Sequence, residues 1–266
     1  DRKIRIWQVD NDQSAITTLE GHSDIVTSVS FSPDGKTLAS GSHDNTVKIW
    51  NVASQKLLQT LKGHKDWVLG VKFSPDGQTI ASASADKTVK LWNREGKTQK
   101  FQINPQTLNK HSDIVYSVNF SPNGQEIVSA SADTTVKIWN RKGEEIRTIK
   151  GHNDEVVSAS FSRDGEKIVT GSADDTVKVW NRSGTLLNSF IGHQDDVRAV
   201  SFSPDGTIAS ASKDKMVKVW NPDSTPLNKI LLGHGDWVYQ VSFSADGKTI
   251  ASASRDKTVR LWGADG

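Results

Sequence analysis

Apolar and polar positions alternate along this chain in short runs, and the runs recur. "VTSVSF" (26–31), "KTLASGS" (36–42) and "TVKIW" (46–50) are rich in β-branched residues and lack helical spacing, so each reads as a strand. "SPDG" separates the first two at 32–35 and returns at 74–77 and 203–206, with the variants "SPNG", "SRDG" and "SADG". Pro, then Asp or Asn, then Gly suits a type I turn closed by a glycine that can take positive φ. A more variable segment such as "SQKLLQTLKGH" (54–64) follows and supplies a fourth strand. The pattern predicts about four short strands per repeat and excludes a helical solenoid.

The repeat can be anchored on tryptophan. "DNTVKIWN" (44–51) returns as "DKTVKLWN", "DTTVKIWN", "DDTVKVWN", "DKMVKVWN" and "DKTVRLWG", with a divergent "DRKIRIWQ" at the start. The slot is filled by Trp7, Trp50, Trp92, Trp139, Trp180, Trp220 and Trp262, a period of about 40–45 residues. Between them lie His turns at Gly21-His22, Gly63-His64, Lys110-His111, Gly151-His152, Gly192-His193 and Gly233-His234. This GH…W spacing resembles the WD40 family, in which each repeat is a four-stranded propeller blade. The resemblance covers essentially the whole chain and extends to bacterial, particularly cyanobacterial, WD-repeat proteins, because the copies are so alike. Trp-Asp has become Trp-Asn at Asn51, Asn93, Asn140, Asn181 and Asn221, with Gln8 and Gly263 at the ends; Asn serves the same turn through its side chain.

The resemblance implies an all-β fold, a WD40-type β-propeller forming one domain over 1–266. Its repeats run 1–20 (partial), 21–62, 63–109, 110–150, 151–191, 192–232 and 233–266. The segment 93–111 is longer than its counterparts and is expected to bulge from the rim. The Trp strand occurs seven times and the two strands before it six times. We therefore expect a seven-bladed ring with one blade incomplete at the termini and a missing piece before residue 1. A six-bladed ring, closed by residues 14–20 against the last blade, is the alternative. Incomplete blades leave strand edges open, which predicts self-association.

Composition narrows the function classes. The chain has 266 residues, begins on Asp rather than Met, and reads as a fragment or processed form. No apolar run approaches the roughly 18 residues of a membrane span, so no membrane partner is expected. Lys+Arg at 33 against Asp+Glu at 31 gives no electrostatic reason to expect nucleic acid. Cysteine is absent, which excludes disulfides and thiolate metal sites and suits a cytoplasmic location. No cofactor and no metal are expected.

Each full repeat also holds a His, a Ser or Thr and an Asp at fixed spacing, followed by the Trp. The sets are His22/Ser40/Asp44/Trp50, His64/Ser82/Asp86/Trp92 and His111/Ser129/Asp133/Trp139, then His152/Thr170/Asp174/Trp180, His193/Ser210/Asp214/Trp220 and His234/Ser252/Asp256/Trp262. Ser-His-Asp suggests a hydrolase, but one active site needs one nucleophile, and six copies describe a joint built into every blade. The sets resemble the family's structural tetrad, a hydrogen-bond chain from indole through hydroxyl and imidazole to carboxylate. Each blade has two serines that could join it; Thr170 at the first position favours that one. An Asp also stands two residues after every one of these histidines (Asp24, Asp66, Asp113, Asp154, Asp195, Asp236) and is read as a turn organiser rather than a cation ring.

Positions that differ between repeats are free of blade-building duty. The third residue after His runs Ile25, Trp67, Ile114, Glu155, Asp196, Trp237; the fifth runs Thr27, Leu69, Tyr116, Val157, Arg198, Tyr239. The residue before the turn Asp runs His43, Ala85, Ala132, Ala173, Lys213, Arg255. In the family these slots border the channel on the top face and contact peptide ligands. From this resemblance the candidate partner-binding residues are Trp67, Leu69, Ile114, Tyr116, Glu155, Asp196, Arg198, Lys213, Trp237, Tyr239 and Arg255. The expected function is a protein- or peptide-binding scaffold or sensor module, not an enzyme. Small-ligand binding in the channel, or an enzyme site at its mouth near Glu155, Asp196 and Arg198, are the alternatives.

Overall fold

A computed structural model describes residues 1–7, 15–94, 100–222 and 229–264. Gln8 and part of the longer segment, residues 95–99, lie outside the described residues. The chain divides into two compact units, Asp1–Val118 and Asn119–Gly266, each taken by itself below. Among the described residues there is no helix.

Unit 1 opens with β1 (Lys3–Trp7) paired to β2 (Ala15–Glu20) in a two-stranded sheet. Two antiparallel four-stranded sheets follow. One is β3 (Val26–Phe31), β4 (Thr37–Ser42), β5 (Thr46–Asn51) and β6 (Leu57–Lys62), and the other is β7 (Val68–Phe73), β8 (Thr79–Ser84), β9 (Val89–Asn93) and β10 (Gln106–Leu108). The division between the units runs through β11 (Val115–Phe120).

Unit 2 continues the same order. It holds β12 (Glu126–Ser131), β13 (Val136–Asn140) and β14 (Glu145–Ile149), then the sheet β15 (Val156–Phe161), β16 (Lys167–Ser172), β17 (Thr176–Asn181) and β18 (Leu186–Ile191). The next sheet is β19 (Val197–Phe202), β20 (Ile208–Ser212), β21 (Val217–Trp220) and β22 (Lys229–Leu231). Last comes the three-stranded sheet β23 (Val238–Phe243), β24 (Thr249–Ser254) and β25 (Val259–Gly263).

The sheets pack by one rule. Apolar residues of a Trp strand bury against the first strand of the next sheet: Val47 and Ile49 with Val68, Val71 and Phe73 in unit 1, and Val217 and Val219 with Val238 and Val241 in unit 2. Where sheets approach closest, a side chain is excluded. A Cβ on Gly171 would stand 2.7 Å from Val197 Cγ1, and one on Gly41 would stand 2.7 Å from Val68 Cγ1. Two faces break the rule and are exposed: Val29 and Phe31 on β3, and Val259 (61% exposed) and Leu261 on β25.

Among the described residues, the seventh Trp strand does not build a blade of its own. β1 pairs with β2 alone, and Trp7 is 51% exposed where Trp50, Trp92, Trp139, Trp180 and Trp220 are buried. This two-stranded sheet lacks the counterpart of β4, whose Ser40 receives the Trp50 indole.

Turn chemistry fixes both ends of each hairpin. In "SPDG", Ser32 Oγ donates to Asp34 Oδ1 at 2.6 Å, the Thr37 N–H donates back to Ser32 Oγ at 3.0 Å, and Gly35 takes a φ of 67°. At the opposite end, the residue after each turn Asp is left-handed without being glycine: Asn45, Lys87, Thr134, Asp175, Lys215 and Lys257 have φ of 65–72°. That region costs a side-chain-bearing residue about 1–2 kcal/mol and penalises a β-branched one most, while Asn tolerates it. Thr134 is exposed. Thr134→Asn should therefore raise unfolding free energy by about 1 kcal/mol, read from urea denaturation. An unchanged or lower midpoint would show that the strain is absent.

Candidate functional site

The His and Asp turns of a repeat lie at the same end of the sheet, because their side chains bond to each other. His22 Nδ1 is 2.7 Å from Asp44 Oδ2, its Nε2 is 2.7 Å from Ser40 Oγ, and the Trp50 indole N–H donates to Ser40 Oγ at 2.8 Å. The chain repeats with His64, Asp86, Ser82 and Trp92 at 2.8, 2.7 and 2.8 Å, and with His193, Asp214, Ser210 and Trp220 at 2.7, 2.7 and 2.8 Å. His152 bonds Asp174 at 2.9 Å and Thr170 at 2.6 Å, and His234 bonds Asp256 at 2.8 Å and Ser252 at 2.7 Å. The indoles of Trp180 and Trp262 donate to Thr170 and Ser252 at 2.9 and 2.8 Å.

The set His111/Ser129/Asp133/Trp139 draws its residues from both units. His111 is buried in unit 1, and Ser129, Asp133 and Trp139 belong to unit 2. Within unit 2 the Trp139 indole donates to Ser129 at 2.9 Å, as in the other sets. Asp133 is half-buried there and organises its own turn. Its Oδ1 accepts from the Thr135 N–H at 3.0 Å and the Thr135 hydroxyl at 2.6 Å, and its N–H donates to Ser131 Oγ at 3.1 Å. The Oδ1 of Asp44 gives Thr46 the same service, at 3.0 and 2.6 Å.

Donors and acceptors fit the five chains that lie within one unit in one sense. The indole can only donate, so the hydroxyl accepts from it and gives its own proton to Nε2. Nδ1–H then donates to the carboxylate, and the imidazole is neutral. Burial holds His22, His64 and His193 below the ordinary 6.5, against the upward pull of their Asp partners. For Asp86, burial alone would raise the carboxyl, but hydrogen bonds from His64, Thr88 and the Lys65 backbone outweigh it and hold it well below the usual range.

The second serine of the blade has a different task. Ser42, Ser84, Ser172, Ser212 and Ser254 donate to the backbone carbonyls of Asp24, Asp66, Asp154, Asp195 and Asp236 at 3.1, 3.0, 3.3, 2.8 and 3.0 Å. Those aspartates in turn accept the N–H of the residue that follows, as Asp66 does from Trp67 at 2.7 Å and Asp236 from Trp237 at 2.8 Å. Asp175, Asp195 and Asp196 bring carboxylate oxygens within 4.8 Å of one another, and Asp196 already holds Lys213 at 2.5 Å and Arg198 at 3.8 Å.

Sequence reasoning missed the lysine of the Trp strand. Lys48, Lys90, Lys137, Lys178 and Lys218 are buried, and they donate to Thr60 (3.0 Å), Thr107 (2.8 Å), Thr148 (2.7 Å), the Gly151 carbonyl (2.7 Å) and the Gly192 carbonyl. Lys178 and Lys218 also stand 3.5 and 3.9 Å from Asp174 and Asp214. The signal was available as a cation at the same place in every full repeat, a position that solvent alone would let drift.

The variable slots sit on this frame in pairs. The residue before the turn Asp donates its N–H to the carbonyl of the third residue after His: His43 to Ile25 (2.9 Å), Ala85 to Trp67 (2.9 Å), Ala173 to Glu155 (2.9 Å), Lys213 to Asp196 (3.0 Å) and Arg255 to Trp237 (2.8 Å). In unit 1, Trp67 is 48% exposed and stacks on His43 of the preceding repeat, ring centroids 4.1 Å apart at 10°. Ile25 is exposed in the same series of slots, while Leu69, Ile114 and Tyr116 are half-buried. In unit 2, Asp196, Lys213 and Arg198 form one cluster, and Trp237, Tyr239 and Arg255 adjoin it through Lys213. Glu155 is half-buried, and its N–H donates to Asp154 at 2.7 Å.

These shifts make the joints acid-labile. A histidine held below 6.5 stabilises the fold fully above that pH and progressively less beneath it, because the unfolded chain takes up the proton first. The depressed aspartates act in the same direction, from about 3.8 downward. Melting temperature should be flat above pH 7 and decline as pH falls from 6.5 to 5. Asp174→Ala removes the acceptor of His152, the Asn153 N–H and Thr176. It should cost about 1–3 kcal/mol at pH 7.5, measured by denaturant melts, and an unchanged midpoint would mean that the joint contributes nothing.

Comparison with known proteins accounts for the frame. The family model for the WD domain, G-beta repeat (WD40), matches residues 13–51, 55–93, 104–140, 143–181, 184–221 and 225–263. Six repeats are matched and not seven: the seven-bladed reading gives way to the six-bladed alternative, since β1 carries a repeat's tryptophan in a sheet of only two strands. Small ribosomal subunit protein RACK1y of Oryza sativa subsp. japonica is 40% identical over 58 residues, 22% of this chain and 17% of that protein. Lissencephaly-1 homolog 1 of Paramecium tetraurelia is 41% identical over 56 residues, 21% of this chain and 14% of that protein. Vegetative incompatibility protein HET-E-1 of Podospora anserina is 62% identical over 37 residues, 14% of this chain and 3% of that protein. The chain thus matches less than a fifth of the length of each of these relatives. With six repeats covering most of its length, the chain belongs to the WD40 family and has its all-β propeller fold.

Proposed function

We propose that this chain binds a protein or peptide segment on the face that carries the His and Asp turns, as an interaction scaffold or sensor module. The observation that carries the reading is Trp67: a large aromatic, half in solvent, held in place by stacking on His43 at a position the frame leaves free. Rigid aromatic rings lose little entropy on binding and recur as anchors at protein interfaces. The same slots elsewhere carry Ile114, Glu155, Asp196 and Trp237, so the variation is chemical as well as steric. Membership of the family supports the reading, and one relative is a ribosomal subunit protein, a component of an assembly.

A catalytic reading has less support. Each hydroxyl of the His–Ser/Thr–Asp sets is fully or nearly fully buried and already accepts from an indole, which leaves no room for a substrate carbonyl. A cavity of about 460 Å³ in unit 2, lined by Glu126, Ile138, Arg147, Glu166 and Arg182 among others, includes none of the slot residues. A cysteine-free chain suits a cytoplasmic setting.

Self-association is a second part of the proposal, carried by the open apolar face of Val259 and Leu261 on the outermost strand of a three-stranded sheet. The occupant is a second copy of this chain. Leu261→Lys should shift sedimentation at micromolar concentration toward the monomer; a wild-type chain that is already monomeric there ends this part of the reading.

Trp67→Ala tests the main proposal. An exposed site should lose only about 0.5 kcal/mol of stability, whereas capture of the partner from a source lysate should weaken by about 2 kcal/mol or more. A variant that melts far below the parent yet captures the same proteins would make Trp67 a structural plug and overturn the reading.

A further inference from the structure

The two tryptophan slots share one backbone arrangement and differ in their neighbours. Around Trp67 stand His43, stacked on the ring, and Ala85. Two cations approach Trp237: Lys213 Nζ lies 4.9 Å from its ring centroid and Arg255 Cζ lies 4.7 Å from it. Tyr239 meets the same indole edge-on, centroids 6.3 Å apart at 85°.

The two cations are not equivalent. Lys213 is 2.5 Å from Asp196, so its charge is answered inside the protein. Arg255 is 54% exposed, and its ion pair with Asp236 is long, 3.8 Å from Nε. The indole face holds the guanidinium in place, and a guanidinium held in place offers a donor fork suited to a carboxylate. Resting on the peptide-binding reading above, we propose that the Trp237 slot is a subsite for an acidic side chain, Asp or Glu, of the bound segment. The carboxylate pairs with Arg255, and an adjacent apolar residue of the segment packs on Trp237 and Tyr239.

Other ligand chemistries fit less well. A basic side chain meets two cations of its own sign. A purely apolar one covers Arg255 without giving its charge a partner, which is costly. The carboxylates of Asp175, Asp195 and Asp196 would favour a basic residue, but Asp196 is occupied by Lys213 and Arg198.

Four fluorescein-labelled octapeptides with identical Gly-Ser flanks would test the proposal by fluorescence anisotropy against the full chain. Their cores are Glu-Phe-Asp-Leu, Gln-Phe-Asn-Leu, Lys-Phe-Lys-Leu and Gln-Phe-phosphoserine-Leu. The acidic core should bind about tenfold more tightly than the amide core at low salt, a difference of one charge-assisted contact. Arg255→Gln should erase that advantage, so that the acidic and amide cores bind alike, and leave the melting temperature unchanged. Equal binding of acidic and amide cores, preference for the basic core, preference for phosphoserine over carboxylate, an advantage that survives Arg255→Gln, or no binding by any core would each overturn it. Should all cores bind alike and Trp67→Ala weaken them alike, the acidic subsite fails while the binding face stands. Should neither Trp67→Ala nor Trp237→Ala weaken any of them, the binding face itself fails.

Discussion

A buried neutral imidazole, held between a hydroxyl and a carboxylate, is the interaction on which the rest of this structure depends. It joins three elements that the chain would otherwise leave independent: the turn before the first strand of a sheet, the second strand, and the turn before the Trp strand. His152, Thr170 and Asp174 do this in one repeat and His193, Ser210 and Asp214 in the next. Short sheets have little core of their own, and a satisfied buried network fixes strand register more sharply than apolar contact can. A half-satisfied network would be worse than none, which explains why the carboxylate also collects the backbone N–H after its histidine, as Asp174 does from Asn153 at 2.9 Å.

The same joint imposes strain one residue away. The turn that holds the Asp places the next residue at φ near 65–72°, and this happens at Asn45 and Asp175, which tolerate it, and equally at Lys87 and Thr134, for which it is costlier. That the geometry persists with a β-branched residue after Asp133 shows the order of magnitudes: the turn and its bonds outweigh a local cost of about 1–2 kcal/mol. At the other end of the sheet, "SPDG" and its variants achieve positive φ with glycine, and no such cost arises at Gly35 or Gly77.

Much of this was legible in the sequence, because repetition supplies what a single copy cannot. Strand boundaries followed from the β-branched runs and the glycine turns, and the partners of the joint followed from their fixed spacing. Thr170 singled out the first of the two hydroxyls, and that is the one bonded to His152. Other features were not legible. Counting tryptophans gave seven, since the strand around Trp7 has the right residues but stands in a two-stranded sheet, which spacing does not report. The partners of the buried lysines were not legible, because a Lys between Val and Ile on a strand does not say what its ammonium meets. Their ammonium groups end on threonine hydroxyls and turn carbonyls. His43 was visible as a variant residue, but its stacking on Trp67 comes from packing between adjacent sheets, and no spacing within one repeat encodes it.

The slots can vary because their backbone is already fixed. The pre-Asp N–H to third-residue carbonyl bond, the Asp that caps the turn, and the serine beneath it set main-chain positions before any slot side chain is chosen. Stability is thereby carried by side chains of recurring type in the frame, and the proposed recognition by slot side chains that the frame leaves free to vary. Neighbouring sheets then make a slot's chemistry a property of two repeats rather than one. Trp67 and Trp237 occupy the same position in their repeats, yet one stacks on an imidazole from the repeat before it and the other lies against a lysine from the repeat before it and an arginine from its own. Changing a single pre-Asp residue therefore alters the aromatic surface of the following repeat without touching the joint that holds either sheet.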